Sequence, residues 1–357
     1  MLTLEDLGWT DRFAEAFEPY RADGLQPARV SLEHTHIYRV LSPAGECLAR
    51  VAGRLRHAAS GRADFPAVGD WVAVDMPAGE GDARIRAVLP RVSRFSRRAA
   101  GNATEEQVVA ANIDVVFLVS GLDGDFNPRR IERYLVTAWD SGAAPIVLLN
   151  KTDLVDDPAP FVREVETLGK GVPIIAVSAK RGDAMEAIRA HLGRGRTAAL
   201  LGSSGVGKSS IANALIGEER LRTRDVRASD SRGRHTSTSR ELVLLPGGGI
   251  LIDTPGMREL QLWDTGGAVA ETFSDVESIA AGCRFRDCRH ATEPGCAVRA
   301  AVAAGRLPAE RLESYAKLQN EQAFQATQHD ERARLELKRQ GKIGAKALRK
   351  RLEEKDG

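Results

Sequence analysis

Ten residues, Leu201 to Ser210 with the sequence LGSSGVGKSS, constrain this chain more than any other stretch. They fit the pattern G-x-x-x-x-G-K-[ST], with Gly202, Gly207, Lys208 and Ser209 at the fixed positions. Such a loop belongs between a strand and a helix. The strand feeds a tight turn, the glycines let successive amides point inward at an anion, and the helix presents its positive end. The apolar run from Ala198 to Leu201 supplies the strand, and SSIANALIG the first turns of the helix. Gly202, Ser203, Ser204, Gly205, Val206, Gly207, Lys208, Ser209 and Ser210 are therefore the candidate phosphate contacts. Lys208 adds a point charge for the β- and γ-phosphates of a nucleotide, and Ser209 is placed to ligate magnesium.

The stretches around this loop read as strands of one sheet. IDVVFLVS, APIVLLN, VPIIAVSA, ELVLLP and GGILIDT are continuous apolar runs, the mark of strands covered on both faces. Helical patterns such as PRRIERYLVTAWDSG and DAMEAIRAHLG fill the intervals, so the sequence predicts an α/β domain.

Three of these runs end in polar boxes. APIVLLN leads into Asn150, Lys151, Thr152 and Asp153, an N-K-x-D box. Guanine offers an N1 proton and an exocyclic amine side by side, and one carboxylate accepts both. Asp153 is the group to do so, while Asn150 ties the box to the phosphate loop and the Lys151 stem covers one face of the base. Adenine lacks that pair of donors. VPIIAVSA yields Ser178, Ala179 and Lys180, with the Ala179 amide available to the guanine O6. GGILIDT delivers Asp253, Thr254, Pro255 and Gly256. Here Asp253 is set to hold a magnesium-bound water and the Gly256 amide to meet the γ-phosphate. The hydroxyl-rich SRGRHTSTSR between this segment and the phosphate loop offers a magnesium-ligating threonine, Thr236 with Thr238 as second choice.

A length of 357 residues suggests two or three domains, and 43% hydrophobic content is enough for sizeable cores. No apolar run reaches the roughly eighteen residues of a membrane span. The N-terminus is acidic where a signal peptide would be basic, so a cytoplasmic chain is expected. Residues 1–28 read as an extension with one short helix ended near Pro19. From Arg29 to about residue 98 short β-like pieces (ARVSLEHTHIYRVL, GECLARVAGRLR, GDWVAVDM, ARIRAVLP) suit a small barrel of the oligonucleotide-binding (OB) kind, and an SH3-like domain fits the same pattern. PRVSRFSRRAAG reads as a linker whose Arg91, Arg94, Arg97 and Arg98 beside Phe95 suit phosphates and a stacked base. Residues 99–275 hold the nucleotide domain and 276–357 a zinc-binding domain with a basic helical tail. Its Cys283, Cys288, His290 and Cys296 supply three thiolates and an imidazole, a set for one closed, structural zinc site. Zinc there replaces a hydrophobic core that so short a segment lacks. Cys47 reads as buried filler, and the tail as an arm for RNA.

The order of the boxes is N-K-T-D, S-A-K, then GSSGVGKSS, GRHTST and D-T-P-G, whereas the phosphate loop comes first in most GTPases. Together with the β-rich N-terminus and the C-terminal cysteine cluster, this order resembles the circularly permuted GTPase family of small ribosomal subunit biogenesis GTPases. The resemblance implies a permuted P-loop GTPase domain flanked by an OB-like barrel and a mostly helical zinc-binding domain. It also implies a GTPase that binds GTP or GDP with Mg2+, engages the small ribosomal subunit and its rRNA late in maturation, is stimulated by that subunit, and leaves after hydrolysis; a monomer is expected. His235, in GRHTST, is by this resemblance the water-orienting residue, with Lys208 and Gly256 as the other catalytic candidates. Met257 occupies the position after the D-x-x-G glycine where many GTPases place a glutamine, so intrinsic turnover is expected to be slow. A GTP-dependent RNA-binding module with incidental hydrolysis is the alternative.

Overall fold

The computed structural model describes residues 2–34, 37–77, 79, 81–99, 102–169, 171–218, 240–253, 267–324 and 327. After a single turn at Glu5–Leu7 comes α1 (Asp11–Arg21), which runs through Pro19 because Phe13 and Phe17 pack it onto Trp71. Strands β1 (Gln26–His34), β2 (Ile37–Ser42), β3 (Gly45–Val51), β4 (Trp71–Asp75) and β5 (Ala83–Val88) form the barrel, with helix α2 (Gly53–Ala58) between β3 and β4. β1 pairs with both β2 and β4, and β3 runs parallel to β5, so the barrel closes in the OB arrangement. Two of the β-like pieces divide further: the first is the β1–β2 hairpin, and the second bends from β3 into α2. Cys47 is half-buried, with its Sγ 3.9 Å from Met76 Sδ.

The stretch read as a linker is instead β6 (Arg94–Ala99), which pairs with β7 (Asn102–Ala111). Phe95 is 1% exposed inside the main core, and Arg91 forks onto Asp70 at 2.7 and 2.8 Å while its remaining donors take the Ala63 and Phe65 carbonyls. Both residues are spent on structure and are not available to stack a base or hold a phosphate.

The nucleotide domain follows: β8 (Val115–Gly121), α3 (Pro128–Ser141), β9 (Ala144–Asn150), α4 (Ala159–Glu166), β10 (Ile174–Val177), α5 (Met185–Arg189), β11 (Thr197–Gly202), α6 (Lys208–Ile216), β12 (Glu241–Leu244) and β13 (Ile250–Asp253). The strand order is β10-β9-β8-β11-β13-β12, parallel except for β12. Alternate residues of β8 face opposite ways: Val116 and Leu118 join a core with Ile131, Leu135 and Val165, and Val115, Phe117 and Val119 join one with Ile188, Ile211 and Leu215. That two-sided burial is why the runs are uninterrupted in the sequence. β1 also touches β12 at Leu32 and Glu241, which makes barrel and domain one eleven-stranded sheet.

Arg29 locks this junction. It is 1% exposed, and its guanidinium donates to the carbonyls of Leu7, Gly69 (3.2 Å) and Asn112 (3.0 Å), drawing the N-terminal turn, the barrel and the nucleotide domain together. Burial lowers its pKa to about 10, against the pull of Asp114 and Asp70, and it stays charged at neutral pH.

The chain ends in α7 (Ala268–Thr272), α8 (Ser274–Ala280), α9 (Ala297–Ala303) and a helix over 309–324. These helices share a core of Phe273, Val276, Val298, Leu307, Tyr315 and Leu318, and the short segment 283–296 joins it through its cysteines. Arg311 docks them on α3, donating to the fully buried Glu132 at 2.7 Å and to Asp275 at 2.9 Å. Among the described residues no helix is long and apolar enough to cross a membrane.

Candidate active site and metal cluster

β11 ends at Gly202 and α6 starts at Lys208, and the five residues between form the loop. Gly202 is needed for close approach, since a Cβ there would lie 2.4 Å from the Val119 carbonyl. Gly207 is needed twice over: its φ is +97°, and a Cβ would lie 2.2 Å from Asn150 Nδ2. Ser204 and Gly205 are exposed at the loop's tip, Val206 is buried beneath it, and Ser209 and Ser210 lie in the first turn of α6. Lys208 Nζ folds back to the carbonyls of Gly202 (2.7 Å) and Ser203 (2.6 Å), which satisfies the ammonium at the loop's own rim.

Asn150, at the end of β9, is 3% exposed and bridges two loops. Its Nδ2 donates to the Val206 carbonyl at 2.8 Å, and its Oδ1 accepts from the Ala179 amide at 3.1 Å. The Ala179 amide is thus directed at Asn150. Lys151 takes a left-handed backbone, φ 69°, unusual for a side chain of its kind, and its Nζ pairs with Asp123. Thr152 opens a short turn over Thr152–Leu154 that carries Asp153. Ser178 Oγ donates to Asp153 Oδ1 at 2.6 Å, and this bond holds the carboxyl below its ordinary range. Lys180 is exposed beside it. Two strand ends and the phosphate loop therefore converge on one rim, with a carboxylate at one end and an amide-lined turn with a lysine at the other.

Asp253 ends β13 near Lys208. Burial pushes its carboxyl above the ordinary range, as does Glu241, while Lys208 opposes both. His235, Thr236, Thr238, Gly256 and Met257 lie outside the described residues.

Sequence reasoning missed three residues at this rim. Asp123 anchors Lys151, while Arg130 and Tyr134 of α3 reach Ser203 Oγ at 2.7 and 3.4 Å. Asp123 follows the Gly121 end of an apolar run and so lies at the same sheet edge as the N-K-x-D box, a clue legible in principle. Arg130 sits in no motif.

The donor atoms of Cys283, Cys288, His290 and Cys296 all lie within 4.8 Å of one another. Cys283 Sγ and Cys296 Sγ are 3.9 Å apart, and His290 Nδ1 is 3.6 and 3.4 Å from them. Ordinary zinc–thiolate and zinc–imidazole bonds in a tetrahedron give edges of about 3.8 Å between sulfurs and about 3.6 Å from sulfur to nitrogen. The residues thus fit a metal ion such as zinc. His290 has φ 59°, so the backbone bends sharply to bring its ring in, and Glu293 binds the loop amides of Arg289, Ala291 and Thr292.

A parallel sheet whose phosphate loop follows its base-box strands in the chain, flanked by an OB-like barrel and a helical module with a Cys/His cluster, defines a circularly permuted GTPase. The family model described as RsgA GTPase matches residues 88–263. A small ribosomal subunit biogenesis GTPase RsgA of Opitutus terrae is 52% identical over 338 residues, covering 92% of each chain. One of Streptomyces coelicolor is 44% identical over 352 residues, covering 97% of this chain and 94% of its own. Among solved structures, YjeQ from Thermotoga maritima superposes with a TM-score of 0.61 at 28% identity, over 82% of this chain and 97% of that one. YloQ, a circularly permuted GTPase, gives 0.59 at 23% identity over 83% and 94%. The chain belongs to the RsgA GTPase family and is a GTP-hydrolysing enzyme.

Proposed function

We propose that this protein binds the small ribosomal subunit late in that subunit's maturation and hydrolyses GTP to GDP and phosphate when stimulated by it. The observation that carries the nucleotide half is the Asn150 bridge, which joins the loop suited to phosphates to the loop suited to guanine. The partner is taken from the names of the relatives, small ribosomal subunit biogenesis GTPases.

Asp153, positioned by its Ser178 bond, accepts hydrogen bonds from the guanine N1–H and amine, and the Lys151 stem, steadied by Asp123, lies along the base. Lys208 turns from the loop carbonyls to the β- and γ-phosphates. Ser209, Asp253 and Thr236 are the residues to hold magnesium, which neutralises charge developing on the phosphate oxygens. His235 orients the attacking water. The Cys/His cluster holds zinc for structure, and the barrel and basic tail contact rRNA. The protein acts in the cytoplasm as a monomer.

Steady-state phosphate release from GTP and from ATP, with and without purified small subunits, tests this reading. Slow GTP turnover that rises strongly, and only with small subunits, is expected. Equal rates with and without subunits would replace it by an RNA-binding module with incidental hydrolysis. ATP turned over as well as GTP would remove the guanine assignment.

A further inference from the structure

We propose that Arg130 is a further residue of the hydrolytic site, one that engages the terminal phosphate and distinguishes a nucleoside triphosphate from a diphosphate. The proposal rests on the GTPase reading above and names a residue that no motif contains.

Arg130 stands in the first turn of α3, whose start is set by Pro128 and by the Asn127 cap on the Arg130 amide. From there its guanidinium reaches the phosphate loop. Nη1 donates to Ser203 Oγ at 2.7 Å and to Asp125 Oδ2 at 2.6 Å, with a longer bond to the Asp125 carbonyl at 3.4 Å. Every side-chain hydrogen bond that Arg130 makes among the described residues uses that one nitrogen. Nε and Nη2 make none there, and the side chain is 34% exposed, so the forked edge that matches two phosphate oxygens is open. Ser203 is also where the loop lysine rests: Lys208 Nζ holds its carbonyl while Arg130 holds its hydroxyl. Two cations thus meet at one loop residue from different elements, and Asp125 keeps the arginine aimed there without burying it.

In the reaction the water oxygen bonds to Pγ and the bond from Pγ to the β–γ bridging oxygen breaks. The electron pair leaves with GDP, and the water proton ends on the released phosphate. Arg130 takes no proton. Its free edge offsets charge on the γ-oxygens as they separate, a contribution that arginines supplied in cis make in other GTPases.

The experiment uses the full chain as wild type, Arg130→Ala and Arg130→Lys. Affinities for GDP and for a β,γ-imido GTP analogue are measured by equilibrium titration, and single-turnover hydrolysis is followed with and without added guanidinium. In Arg130→Ala, GDP affinity is expected to stay within about threefold, analogue affinity to fall about tenfold, and the turnover rate to fall on the order of 100-fold or more. Added guanidinium restores part of the rate, and Arg130→Lys, which keeps charge but lacks the fork, recovers only a fraction. Equal losses for GDP and analogue, or a rate within about twofold of wild type, would overturn the proposal. Arg130→Lys keeps the test decisive if the alanine variant does not fold, because a full wild-type rate there would overturn the forked contact. Wild type that binds ATP as well as GTP would defeat the guanine reading instead, and the same comparison run on ATP and ADP would still judge Arg130.

Discussion

The nucleotide rim and the Cys/His cluster are built on opposite plans. At the rim the protein supplies its own bonds: Asn150 bridges Val206 and Ala179, Ser178 holds Asp153, Asp123 holds Lys151, and Lys208 rests on loop carbonyls. At the cluster the four donor atoms lie within 4.8 Å of one another, those of Cys283, His290 and Cys296 at 3.4 to 3.9 Å, and most of the loop between Cys283 and Cys296 is exposed. A site that releases its ligand in every cycle needs a geometry that outlasts the release. A site that keeps its ion can let the ion be the bond. The neighbouring helical core fits this plan, because it anchors the two ends of the loop through Val276 and Val298 and meets the middle at Cys288, itself one of the four donors.

The contrast breaks most violently at the metal. Structural zinc sites carry apparent binding energies of roughly 10–16 kcal/mol that appear as folding energy. Cys288→Ser, or chelation, is expected to lose the ion and the order of residues 283–296, while GDP affinity changes by no more than about threefold because the bonds that hold the rim involve no residue of 283–296. Metal analysis paired with nucleotide titration checks both halves.

Next in size is the bridge itself. Asn150→Ala leaves a buried carbonyl at Val206 and an amide at Ala179 without their partner, each costing about 1–3 kcal/mol. The chain should still fold, with a lower melting temperature and nucleotide affinity reduced on the order of 100-fold, as calorimetry and titration would reveal.

Asp153→Asn leaves the phosphate loop intact and removes only the acceptor pair for guanine. The preference for GTP over ATP should shrink by roughly 10- to 100-fold, the worth of charged hydrogen bonds, with little change in ATP binding. Competition between the two nucleotides measures it.

The smallest effect is one of pH. Burial raises the Asp253 pKa, so its protonated form persists to higher pH than an ordinary aspartate's. In its proposed role at magnesium Asp253 has to be ionised, so magnesium-dependent nucleotide affinity should weaken on acidification at a higher pH than a normal carboxyl would dictate. Asp253→Asn should flatten that dependence.

Much of the candidate site's placement was legible because its parts sit at strand ends, where an apolar run stops and a polar box begins. Asn150, Asp153, Ser178 and Gly202 each follow such a run, and the runs became β9, β10 and β11 at nearly the expected residues. The permuted order was equally plain, since chain order is what a sequence states. The hairpin of β6 and β7 was not, because Asn102–Ala111 opens with polar NATEEQ and Arg-rich β6 hides the one buried aromatic, Phe95, that decides its place. Arg29 and Arg130 were invisible for a different reason. Their partners stand 40 and 73 residues away, and a lone arginine carries no periodic signature.

Hydrogen exchange on the chain stripped of nucleotide, and separately stripped of metal, tests the difference between the two plans most directly. Removing nucleotide should leave residues 145–153, 174–179 and 197–210 almost as protected as before. Removing metal should erase protection across 283–296. Collapse of the rim on nucleotide removal, or a cluster loop that keeps its protection without metal, would contradict the account.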